Sequence, residues 1–97
     1  MVAHTSLEAF RELEKSGGIT RQQHLILRKM AWHDEPKTRN MIADMARLPV
    51  GTVAGRVNEL IKLGYLAEQK GPRCPITGGP AKWVYINKGD SNEQLSR

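Results

Sequence analysis

Cys74 is the chain's single cysteine, and its three histidines stand on separate segments, as His4, His24 and His33. One cysteine excludes an internal disulfide and an all-cysteine zinc site, and a reduced, cytosolic setting suits it. No His-x-x-x-His or Cys-x-x-Cys spacing is present, so the sequence gives no basis for metal ligation. Cys74 lies between Arg73 and Pro75, with Lys70 nearby, and these cations could lower its pKa and make it a nucleophile or redox sensor. No general base or resolving cysteine accompanies it, which leaves an inert loop thiol as the competing reading. There is no G-x-x-x-x-G-K-[ST] phosphate loop and no paired-carboxylate arrangement. The chain therefore reads as a non-enzyme without a cofactor.

Its conspicuous chemistry is cationic, and the cations are unevenly placed. Within 97 residues, 15 Lys and Arg oppose 10 Asp and Glu, for a formal charge of +5. Residues 1–36 balance five cations against five acids, whereas residues 37–88 carry nine Lys or Arg and only Asp44, Glu59 and Glu68 as acids, a net of +6. Confinement of charge to one stretch is what a polyanion-binding face produces, although basic surfaces also serve solubility alone. Within that stretch Lys70, Arg73 and Lys82 surround a loop rich in glycine and proline, with no acid between 69 and 89. Prolines restrict such a loop and reduce the entropy lost when it docks.

Four helices are needed to position these groups. Thr5 and Glu8 have capping-box spacing ahead of LEAFRELEK, which stops at Ser16-Gly17-Gly18. Thr20 and Gln23 repeat the box ahead of RQQHLILRKMAWH, with Ile26, Leu27, Met30 and Ala31 on one face, until Asp34-Glu35-Pro36 ends the helix. Thr38 caps RNMIADMA, and after Arg47-Leu48-Pro49 a longer helix, VGTVAGRVNELIKL, turns Val53, Val57, Leu60 and Ile61 inward and stops at Gly64. Pro49 suits that helix's first turn. The period then changes from 3.6 to 2, which predicts a strand over 65–69 and a second over 81–86, joined by KGPRCPITGGP. Alternation across the second strand sends one of the pairs Val84/Ile86 and Trp83/Tyr85 to the core. Trp83 and Tyr85 could stack on unpaired bases or close the core behind the strands. Trp32, late in its helix, is expected in the core or at a dimer contact.

At this length one compact domain is expected, burying about 65% of its unfolded surface. The reading divides it into an N-terminal helical segment 1–18, a domain 19–87 and a loose tail 88–97. No apolar run approaches the roughly 20 residues of a membrane span, and MVAHTSLEAF shows no secretory signal.

Residues 38–86 resemble the winged helix-turn-helix domains of MarR-like regulators and of many short phage-encoded proteins. The likeness is carried by Thr38-Arg39-Asn40-Met41-Ile42-Ala43, by Leu48-Pro49-Val50-Gly51-Thr52-Val53, and by the run from Arg56 to Leu66. It implies a mainly α fold with a small β wing, the motif over 38–63 and the wing over 65–87. It also implies a sequence-specific double-stranded DNA-binding protein, a small transcriptional regulator, with helix 50–63 in the major groove and the 70–82 loop on backbone or minor groove. Such regulators commonly act as two-fold dimers. The helix ahead of the Gly17-Gly18 hinge is a candidate dimer contact, or it packs on its own domain.

Within that frame Arg56 can bind guanine O6 and N7, worth about 1–3 kcal/mol of discrimination, pair with Glu59, or hold a phosphate. Asn58 can read adenine, and Thr52 can meet a base edge or a phosphate, or bond its own backbone. Gly51 and Gly55, each unfavourable by about 1 kcal/mol relative to alanine in a helix, clear one face. They do so for DNA, for a protein partner, or for another helix of the same domain, or they mark a face not under selection. Thr38, Arg39 and Asn40 can take a phosphate at their helix N-terminus, and Lys70, Arg73 and Lys82 can contact backbone, Arg73 foremost. A different class remains open, in which the domain grips a protein, as an inhibitor of a host complex or a replication accessory factor.

Overall fold

The computed structural model describes residues 7–87, with side chains from Ala9 onward. The Thr5–Glu8 capping box, His4 and the tail 88–97 lie outside the described residues. Element order is α1 (Leu7–Lys15), α2 (Arg21–His33), α3 (Arg39–Ala46), α4 (Val50–Leu63), β1 (Leu66–Lys70) and β2 (Lys82–Ile86). The domain is mainly α, four helices with a two-stranded antiparallel sheet.

Local chemistry accounts for the helix boundaries. Thr20 accepts from the Gln23 N–H while the Gln23 side chain accepts from the Thr20 N–H, a reciprocal box that satisfies two otherwise orphaned donors. Asp34 ends α2 in the left-handed region at φ 50°, its N–H returning to Met30 O, and Asp tolerates that region better than most residues. Thr38 caps α3 by accepting from Met41 N–H. Gly64 closes α4 at φ +90°, its N–H bonded to Ile61 O and that of Tyr65 to Leu60 O, a Schellman motif. Pro49 stands one position earlier than expected, at the N-cap with ψ 145° and no side-chain cap bond. A ring that fixes φ near −65° fits either place.

The core lies where α2 meets every other layer. α2 packs against α1, α3, α4 and β2, while α4 also packs on α3 and β1. Ile26, Leu27 and Met30 of α2, Val53, Val57 and Leu60 of α4, and Val84 of β2 are fully buried together. Each large side chain in this set contributes about 1.5–3 kcal/mol by leaving water. Phe10 of α1 joins the same core at 0% exposure. Trp32, by contrast, is 76% exposed and is not a core residue. It falls on the solvent side of a helix whose inward stripe is completed by Met30.

β1 begins at Leu66 and runs to Lys70, one residue later than the pattern suggests, because Tyr65 is used in closing α4. Its register pairs Leu66 with Ile86, Glu68 with Val84 and Lys70 with Lys82. Val84 and Ile86 are buried and Trp83 and Tyr85 half-buried, so the apolar pair faces the core. The other edge of β2 is met by Lys37, which exchanges backbone bonds of 2.8 and 2.7 Å with Val84. That single bridge ties the α2–α3 connection, and so the start of α3, to the sheet.

Candidate nucleic-acid interface

Two surfaces come together around the start of α3. The first is the outer face of α4, where Gly51, Gly55, Asn58 and Lys62 follow at spacings of four, three and four. Those spacings place them on one side of a 3.6-residue helix. A Cβ built at Gly51 or Gly55 meets no described atom within 4 Å. Neither glycine therefore accommodates another helix of this domain, and that explanation for them falls. Thr52 is half-buried on the flank of the same face.

The second surface is a cleft of about 440 Å³ lined by Thr38, Arg39 and Asn40 of the α3 start, Asn58 of α4, Glu68 of β1, and Cys74, Thr77 and Lys82 of the hairpin. Arg39 crosses it. Its Nη2 donates to Asn58 Oδ1 at 2.7 Å and to Glu68 Oε1 at 3.0 Å. Lys82 Nζ stands 3.8 Å from the other oxygen of Glu68. Beside the cleft, Lys70, Gly71, Arg73, Pro80, Ala81 and Lys82 line a further concavity of about 550 Å³ without an acidic residue. Lys70 and Lys82 are directly opposed in register, and Glu68 is the acid beside Lys82. Arg73 is exposed and donates to Gly78 O at 3.1 Å.

Arg56 is placed elsewhere. Its Nε and Nη2 donate to the two oxygens of Glu59 at 2.8 and 2.7 Å, and Nη1 donates to Gln22 Oε1 of α2 at 3.4 Å. Gln23 adds a 2.6 Å bond to Glu59. The Arg56 hydrogen bond, then that from Gln23, holds the Glu59 carboxyl below its usual pKa. The guanidinium fork is occupied in joining α4 to α2, so the Glu59 pairing is the role realised here. A base contact by Arg56 would require this network to open.

The hairpin loop is built rather than slack. Trp83 Nε1 donates to Pro72 O at 2.7 Å, and a Cβ at Gly71 would stand 2.4 Å from the indole, so only glycine lets the ring lie there. Trp83 is thereby committed to holding the loop. Cys74 N–H bonds Gly79 O and Gly78 N–H bonds Cys74 O, closing a turn that leaves Ile76 exposed and Cys74 buried. The Cys74 sulfur lies 3.1 Å from Thr38 Oγ1, and this bond, opposed by burial and aided by the Ile76 and Thr77 backbone and the Thr77 side chain, lowers its pKa to about 7. The loop is thus latched onto the α3 cap. Sequence periodicity carries no signal for a side-chain contact between residues 36 positions apart.

The two described histidines do not converge. His24 pairs through Nδ1 with Glu14 across the α1–α2 junction, and His33 is exposed. Among the described residues no group of three or more His, Cys, Asp or Glu could hold a metal ion, and no helix is long and apolar enough to cross a membrane.

No protein-family model and no curated protein matches this sequence. Among solved structures the chain is similar to the crystal structure of the ST1889 protein from the thermoacidophilic archaeon Sulfolobus tokodaii. The TM-score is 0.68 and the identity 25%, covering 86% of this chain and 77% of that one. The likeness is one of fold: two chains sharing a quarter of their residues arrange most of this backbone alike.

Proposed function

We propose that the protein is a winged helix-turn-helix that binds double-stranded DNA sequence-specifically, as a small transcriptional regulator. α3 and α4 form the helix-turn-helix, and β1, β2 and their loop form the wing. α4 enters the major groove by its Gly51–Gly55–Asn58 face, and Lys70, Arg73 and Lys82 meet phosphates beside it. The observation that carries this reading is the open face of α4 beside the cationic cleft. Two glycines lower helix stability there, and no internal contact requires them. A helix stripped of side chains on one face lets its backbone approach a partner closely. The neighbouring concavity, lined by Lys70, Arg73 and Lys82 without an acid, favours an anionic one.

The test is charge reversal. Arg73→Glu combined with Lys82→Glu is expected to lower duplex affinity more than tenfold at about 100 mM salt and to flatten its salt dependence by about two contacts. Thermal stability should stay within about 0.5 kcal/mol, as for ordinary surface changes. Unchanged duplex affinity in the double variant would overturn the reading.

One observation favours a protein partner instead. Trp32, 76% exposed, is the kind of aromatic that anchors protein interfaces, and a second copy of the chain would equally cover it. This surface and the DNA reading are separable, since Trp32 does not line the cleft.

A further inference from the structure

Glu68 is the only acid between residues 60 and 89, and it stands inside the cationic cleft. A carboxylate is the wrong charge for a phosphate site, so its presence calls for an explanation. β1 directs it there: Glu68 is opposite the fully buried Val84 in the sheet register, on the face that continues from the core toward α3 and α4. One oxygen accepts from Arg39 at 3.0 Å and the other lies 3.8 Å from Lys82 Nζ, so a single side chain engages two of the cleft's cations. The Arg39 and Glu68 side chains are only 22% and 28% exposed, which screens this pair less than a rim pair.

The same bond positions a third residue. Arg39 has only N–H donors, so it must face the oxygen of the Asn58 amide, at 2.7 Å. That leaves the Asn58 amide nitrogen, and not both ends of the amide, for a base edge. Reading adenine with two bonds needs the oxygen as well, and is therefore not available while Arg39 is held.

Resting on the DNA reading above, we propose that Glu68 is a specificity-determining positioning residue: it holds Arg39 off phosphates and onto Asn58, suppressing binding to arbitrary sequence. Non-specific affinity comes almost entirely from phosphate contacts. A counter-ion that competes for Arg39 lowers that background wherever no base edge rewards the Asn58 geometry. Where a base does match, Arg39 stays on Glu68 and the affinity is retained.

The experiment measures binding of full-length protein to a random-sequence duplex as a function of salt, for wild type, Glu68→Gln, Arg39→Gln and the double variant. Glu68→Gln should bind about tenfold tighter, with a log–log salt slope steeper by about 0.9, the signature of one added phosphate contact. In the Arg39→Gln background the same change should gain no more than about twofold, because Arg39 is gone and Lys82, 3.8 Å from Glu68 and 62% exposed, is held too loosely to be released by it. An equal gain in both backgrounds would show a general charge effect and overturn the proposal, as would no gain where wild type binds. If neither wild type nor any variant binds duplex at all, the DNA reading itself fails and takes this one with it. Melting curves check folding, and Glu68→Thr, which suits a strand, repeats the comparison should glutamine unfold the sheet.

Discussion

Cys74 releases its proton more readily than a free thiol because the Thr38 hydroxyl and the Ile76 and Thr77 amides all reach its sulfur. Thr38 Oγ1 already accepts from Met41 N–H, so its own hydrogen is available to the sulfur. The folded pKa of about 7 lies below the ordinary 9.0, and between the two the unfolded chain holds a proton that the folded chain has lost. Stability from this group is therefore absent below the folded value, grows as pH rises from 7, and is complete above 9. The urea midpoint should rise between pH of about 6.5 and about 9 more in wild type than in Cys74→Ser. Equal pH dependence in the two proteins would contradict the latch. The residue types here were legible, since Arg73 and Lys70 mark Cys74 as a thiol worth inspecting. The cause was not, because it comes from the cap of a helix 36 residues earlier in the chain. Glu59 was legible as an alternative partner for Arg56 from its i,i+3 spacing. Gln22 and Gln23, which complete the network from another helix, carry no such spacing.

α4 shows how far periodicity reaches at the scale of an element. Val53, Val57 and Leu60 define its buried face and Gly64 its end, and both follow from helical spacing and glycine's access to positive φ. The outer face is defined by what is missing, and sequence could not tell a face cleared for packing within the domain from one cleared for a partner. Open space around both glycines removes the first possibility. Gly51→Ala and Gly55→Ala should each stabilise the fold by up to about 1 kcal/mol, while a methyl on the approaching face weakens duplex binding severalfold. Denaturant midpoints and binding isotherms on the same samples check this pair of opposite effects. Alanine variants that are more stable and bind duplex as well as wild type would mean that α4 does not approach DNA by this face. The sheet was less legible than the helices. Its strands are short, β1 starts after the residue that closes α4, and the Lys37 bridge is a single residue with no period to read.

For the whole molecule the governing feature is where charge accumulates. Of the cations that give residues 37–88 their net +6, Arg39, Lys82, Lys70 and Arg73 line two adjoining concavities at the start of α3 and along the hairpin. α1, with its buried Phe10, and α2 complete the core behind them. Such an arrangement attracts any polyanion, so the central claim concerns sequence rather than charge. The direct test is selection from a pool of random duplex DNA at about 150 mM salt, where non-specific electrostatic binding is suppressed. The account predicts an enriched sequence motif, and an inverted repeat within it would give the spacing of a two-fold dimer. Weak, salt-sensitive binding with no enriched motif after repeated rounds would contradict it.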